Sequence, residues 1–148
     1  IFGPVEDLIY WKECIKLIHK LPSNIKVIIG DEVPHNEIIN IFKRNDLFVL
    51  PTRGENFGHV IIEALSAGLP TLTSDKTPWS SDYGEGLKII PLDKNKWIEF
   101  ITNFSKFDDK LFIKIREDAL NYALKYNTNN SPLKKNQDFF NFVLNINQ

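Results

Sequence analysis

The sequence has 148 residues, 43% hydrophobic and 25% charged, which suits a globular chain with one buried core. Its 18 basic and 19 acidic residues leave a formal net charge of −1. That balance argues against sequence-independent binding of nucleic acid or anionic membrane, which needs a surplus of Lys and Arg. No apolar run approaches the ~20 residues that span a bilayer, and no signal peptide opens the chain. The lone Cys14 allows neither an internal disulfide nor a Cys-rich zinc site, which points to a reducing compartment. With no Met and a start at Ile1, the sequence reads as a piece of a longer protein.

In chain order, Leu8, Trp11, Ile15 and Ile18 recur at helical spacing, with Cys14 and Leu21 beside that stripe, and Cys14 is expected in the core. A strand is expected over 25–29, then a helix through Ile38, Ile41 and Phe42 ending near Asn45. Residues 47–51 read as a second strand. Val60, Glu63, Ala64 and Ala67 mark the next helix, stopped by Gly68 and Pro70. Strands over 70–74 and 87–92 follow. Nearly continuous apolar strands belong to sheets covered on both faces. The alternation with helices therefore predicts an α/β fold, a parallel sheet with helices on both faces.

Beyond Asp93 the pattern is all helical. Trp97, Ile101 and Phe104 line one helix, and Phe112, Ile115, Ala119, Tyr122 and Tyr126 line a second with Asp108 as N-cap. Ser131 and Pro132 open a last helix with the stripe Phe139, Phe140, Val143 and Leu144. Lys134 and Lys135 read as a solvated face, and His19 and His35 as surface residues.

Ligands of open parallel sheets sit beyond the carboxyl ends of the strands, so the loops over 30–34, 52–58 and 75–79 carry the interest. The middle one is richest: Thr52, Arg53, Gly54, Glu55, Asn56, Phe57, Gly58 and His59 lead into a helix. Gly54 and Gly58 either let a ligand approach the backbone or serve a tight turn. The helix start behind them suits a phosphate. The P-loop pattern and the Gly-x-Gly-x-x-Gly fingerprint are both absent, against a P-loop ATPase, a kinase or a standard dinucleotide enzyme.

Glu63 lies within an apolar helix, where a carboxylate is costly unless partnered. Glu55 and Glu63 could suggest a glycosidase pair. Eight residues at helical rise separate them by roughly 12 Å, beyond the ~5–9.5 Å that glycoside hydrolysis uses. The pair suits the two ends of one elongated ligand, such as a nucleotide sugar. Arg53 could meet a diphosphate. His59 could meet a phosphate or sugar, or stand in solvent. Thr77 and Trp79 could line the cleft, or Trp79 could cap the sheet end.

Glu55, seven intervening residues and Glu63, within the run from Leu50 to Pro70, resemble the signature of retaining GT-B glycosyltransferases. The likeness is to the family 4 group, and it covers about the first hundred residues in one consistent order. It extends through Gly3 and Pro4, 21–25, 30–33, 46–51 and 74–79. The resemblance implies a Rossmann-like region over 1–93, the C-terminal half of a GT-B fold, with a helical extension over 94–148 in one partial domain. It implies a nucleotide-diphosphate sugar as substrate, with no cofactor and no metal. Glu63 would then hold the donor ribose and Glu55 the transferred sugar, with its catalytic part left open. Amides around Asn56, Phe57, Gly58 and His59 would meet the sugar and distal phosphate, and Gly30, Asp31, Glu32, Val33 and Pro34 would flank the base.

The same resemblance places a sugar or lipid-linked acceptor on an N-terminal domain that this chain lacks. The first strand of the C-terminal domain, with the Arg and Lys that normally meet the diphosphate, is likewise missing. It implies a cytoplasmic enzyme of polysaccharide biosynthesis, at the inner face of the membrane by peripheral association. A GT-B nucleotide-sugar epimerase or phosphorylase is the alternative within the fold. A non-catalytic nucleotide-binding or assembly module is the alternative outside enzymology.

Overall fold

The computed structural model of this chain describes residues 1–82 and 84–129. The last expected helix, with Phe139, Phe140, Val143 and Leu144, and the Lys134-Lys135 pair lie outside the described residues. Two compact units divide the chain, Ile1–Ile38 and a second that begins at Ile39. The elements run α1 (Leu8–Ile18), α2 (His35–Lys43), β1 (Phe48–Leu50), α3 (His59–Ser66), β2 (Thr71–Ser74), β3 (Leu87–Ile90), α4 (Lys94–Phe104) and α5 (Asp109–Asn129).

The second unit is built on a three-stranded parallel sheet in the order β1-β2-β3. Phe48 pairs with Thr71, and Thr71 with Leu87, so the three strands start level. This is the expected α/β class. Alternation along each strand puts Phe48, Leu50, Leu87 and Ile89 on one face. Against that face pack Ile61 and Leu65 of α3 and Ala119, Tyr122 and Ala123 of α5, together with Trp79. The two threonines of β2 on the same face keep their hydroxyls bonded. Thr73 Oγ1 donates to the Leu50 carbonyl at 3.2 Å and Thr71 Oγ1 to that of Leu69 at 3.1 Å. On the other face Leu72 is fully buried, while Val49 and Lys88 are exposed.

Glycines set two close approaches in this unit. Gly86, just before β3, lies so near α5 that an added Cβ would stand 2.2 Å from the Ala119 Cα. Gly68 ends α3 in the left-handed region at φ 70°, beneath Leu120 of α5. Caps fix the helix starts: Asp93 accepts from the Asn95 and Lys96 amides, and Asp108 from that of Leu111. Phe42 of α2 meets Phe48 edge-on with ring centroids 5.5 Å apart.

The first unit departs from expectation. No strand forms over 25–29; a single parallel bridge joins Phe2 to Gly30. Two further bonds support it, from the Gly30 amide to the Ile1 carbonyl and from the Ile1 amino group to Ile28. Ile25, Ile28 and Ile29 are 49%, 61% and 49% exposed, so their apolar side chains are only partly covered. One bridge makes too little ladder to hold a strand, and a unit below about 40 residues rarely closes a core of its own. The same shortage moves Cys14 out of the expected core: α1 has no buried residue, and Cys14 is half-buried. Among the described residues no helix is long and apolar enough to cross a membrane.

Candidate functional site

The loop after β1 is tied to the end of β2 by short polar contacts. Ser74 Oγ donates to the Thr52 carbonyl at 2.6 Å and accepts from the Lys76 amide at 3.3 Å. Thr77 Oγ1 donates to the Ser74 carbonyl, and the Glu55 amide donates to that of Lys76 at 3.2 Å. Thr52 Oγ1 folds back on its own loop, accepting from the Gly54 amide and donating to the Gly54 carbonyl. The loops after β1 and β2 thus form one surface at the carboxyl ends of the strands, where sheets of this class bind ligands.

Gly58 then turns the chain into α3. It takes a left-handed conformation, φ 73° and ψ 56°, and caps α3 without a side-chain hydrogen bond. The conformation demands glycine, and a Cβ there would also press on Ile61 Cδ1 at 3.2 Å and touch Trp79 Nε1 at 3.5 Å. Gly54 differs: a Cβ would meet nothing within 4 Å. The tight-turn reading therefore fits Gly58 and not Gly54. The α3 start has no side-chain cap, and the positive end of its dipole suits an anion.

Around this helix start Arg53, Glu55, Asn56, Phe57 and His59 are exposed, Thr52 is half-buried, and Glu63 is half-buried one turn into α3. The helix begins at His59, so Glu55 belongs to the preceding loop. The separation of roughly 12 Å expected from continuous helical rise does not apply, because the left-handed Gly58 interrupts any helix before His59.

Trp79 stands beneath the loop. It is 8% exposed and donates its indole N–H to the Phe57 carbonyl. Its ring lies 5.7 Å from Phe57 and 4.6 Å from Tyr126, and the Phe57 ring lies 4.4 Å from that of His59. Tyr122 donates its hydroxyl to the Ser80 carbonyl. The sequence pattern puts Tyr122 and Tyr126 in a core stripe, and it includes Ser74 and Lys76 in the run 74–79 without assigning either a role at the site. Helical spacing explains the tyrosines as core, and contact with the loop emerges only when α5 folds back.

The expected base-flanking loop belongs to the other unit. There the Phe2 ring lies over Gly30, with two ring carbons 2.6 Å from where a Cβ would stand. Asp31 and Glu32 line an open groove of about 640 Å³ with the first residues of the chain, Tyr10 and Trp11. Val33 is half-buried and Pro34 accepts from the Glu37 amide at the start of α2. Among the described residues no group of three or more His, Cys, Asp or Glu is arranged to hold a metal ion.

This chain belongs to the glycosyl transferases group 1 family, whose model matches residues 8–89. It is 28% identical over 96 residues to a D-inositol 3-phosphate glycosyltransferase of Corynebacterium jeikeium (strain K411), covering 63% of this chain and 23% of that protein. It is 33% identical over 79 residues to a putative teichuronic acid biosynthesis glycosyltransferase, TuaC, of Bacillus subtilis (strain 168), covering 52% of this chain and 20% of that protein. The chain thus spans less than a quarter of the length of these relatives.

Proposed function

We propose that this chain is the donor-binding part of a retaining glycosyltransferase, which moves a sugar from a nucleotide-diphosphate donor to an acceptor. The observation that carries the reading is the start of α3. Glu55 and Glu63 lie before and after a helix N-terminus that has no side-chain cap and is approached over a glycine. In this reading the diphosphate rests on the amides from Asn56 to His59, with Arg53 beside it. Those dipoles stabilise the leaving group as the glycosyl bond breaks. Glu63 accepts from the two ribose hydroxyls, and Glu55 meets hydroxyls of the transferred sugar. Gly54 has the space for a sugar to lie against the backbone. Thr77 shapes the loop edge.

The donor binds without a metal or other cofactor. The acceptor, a sugar or lipid-linked glycan, is held by an N-terminal domain of the full-length polypeptide. That protein works in polysaccharide assembly in the cytoplasm, in peripheral contact with the inner face of the membrane. The TuaC relative, named for teichuronic acid biosynthesis, supports the polymer assignment.

Titration of the full-length polypeptide with a panel of nucleotide sugars tests the reading. Loss of a charged acceptor of hydroxyl bonds makes Glu63→Ala bind donor about a hundredfold more weakly. Unchanged donor affinity in that variant removes the ribose role and the reading with it.

A further inference from the structure

We infer that Trp79 is a positioning residue for the donor diphosphate, held in place by Tyr122 and Tyr126 of α5; the inference rests on the donor-binding reading above. The argument begins at one peptide bond. The Phe57 carbonyl accepts from the indole N–H of Trp79. In a trans peptide the C=O and the following N–H point in opposite directions. Anchoring that carbonyl on a buried indole therefore aims the Gly58 N–H away from the core, toward the ligand side of the loop. Gly58 is the α3 cap, so the same bond fixes the orientation of the helix start.

The anchor is itself braced. Tyr126 packs on the indole at 4.6 Å, Tyr122 lies 6.3 Å from it, and the Tyr122 hydroxyl bonds Ser80, the next residue after Trp79. Both tyrosines lie beyond residue 89, where the family match ends. The helical extension thus supports the loop that meets the donor, in addition to covering the sheet. Preorganised donors stabilise charge only while held rigid, so slackening the anchor weakens the response to the distal phosphate.

The test uses the full-length polypeptide titrated with UDP and UMP and with GDP and GMP, alongside thermal unfolding. Trp79→Phe keeps a ring against Tyr126 while removing the N–H together with part of the indole's volume. Loss of one such bond lowers diphosphate affinity about tenfold and leaves monophosphate affinity within about twofold. Tyr126→Leu loosens the brace and lowers the diphosphate-to-monophosphate ratio about threefold. It carries the test should Trp79→Phe fail to fold. An unchanged ratio in the folded variants, or an equal loss for both nucleotides, overturns the inference. Glu63→Ala in the same titration separates the two claims. If it weakens nucleotide binding while the Trp79→Phe ratio is unchanged, only the positioning role falls. If no nucleotide binds the unmutated protein, or Glu63→Ala binds as well as it does, the donor reading falls and takes this one with it.

Discussion

The runs over 25–29 and 48–50 have the same kind of sequence, short and apolar with β-branched or aromatic side chains, yet only the second becomes a strand. β1 has β2 beside it in register through three residue pairs, and helices α3 and α5 cover the shared face. Residues 25–29 have one bridge just beyond them, at Gly30, and isoleucines 49–61% open to solvent. Strand formation here follows available partners more than residue type, as expected of a structure stabilised mainly by cross-strand pairs and burial.

Glycine gives the sharpest way to break that comparison. Gly86 and Gly30 are both too crowded for a Cβ, but by different neighbours. At Gly86 the obstacle is α5 backbone, 2.2 Å from the Ala119 Cα and 2.4 Å from its nitrogen. At Gly30 it is the ring of Phe2, a residue 53% exposed. Backbone cannot step aside without moving β3 from α5, so Gly86→Ala costs about 3 kcal/mol in urea unfolding. The Phe2 ring can swing into solvent, so Gly30→Ala costs about 1 kcal/mol or less. Equal losses would show that Ile1–Ile38 is as tightly determined as the sheet.

Amide exchange reads the same contrast without mutation. The amides of Phe48, Thr71 and Asp75 donate to Pro70, Gly86 and Ile90 within the packed sheet region. Those of residues 26–29 lie outside any helix or strand. Exchange over 26–29 is therefore about a hundredfold faster than at β2, after correction for intrinsic rates. Matching protection in the two segments would mean that the first unit has a partner strand in solution.

How much of this was legible in the sequence depends on how local the cause was. The strands 48–50, 71–74 and 87–90 fall within the apolar runs of the sequence, and α3 ends at Ser66 with Ala67 as its C-cap, where Gly68 and Pro70 predict a stop. Asp108 capped α5 as its position suggested. These signals need only a few consecutive residues. The failures needed knowledge of distant partners. Residues 25–29 are apolar and β-branched apart from Lys26, and Cys14 lies beside the apolar stripe of its helix, but burial is supplied by neighbours that sequence spacing does not report. The candidate site divides the same way. The loop from Thr52 to His59 was visible through its glycines and carboxylates. The contacts of Trp79 with Tyr122 and Tyr126 depend on α5 returning to the loop, and Tyr126 lies 47 positions beyond Trp79 in the sequence.

Two matching helix caps provide the finest probe. Asp7 accepts from the Ile9 and Tyr10 amides at 2.9 Å each, and Asp93 accepts from those of Asn95 and Lys96 at 2.9 and 3.1 Å. The local bonds are nearly the same, so the loss of bonding within each helix is the same for an alanine substitution. Their surroundings differ. α4 buries Trp97 and Phe104, and the Trp97 indole donates to the Pro91 carbonyl beside the cap, whereas α1 buries no side chain. A cap coupled to buried side chains weakens the whole unit, so Asp93→Ala lowers the urea-unfolding free energy by about 1 kcal/mol. A cap on an unburied helix frays only its own first turn. Asp7→Ala therefore changes global stability by less than about 0.3 kcal/mol while reducing helical ellipticity before the main transition. Equal shifts in the main transition for the two variants would make Ile1–Ile38 a cooperative partner of the sheet, and the contrast between the regions would be lost.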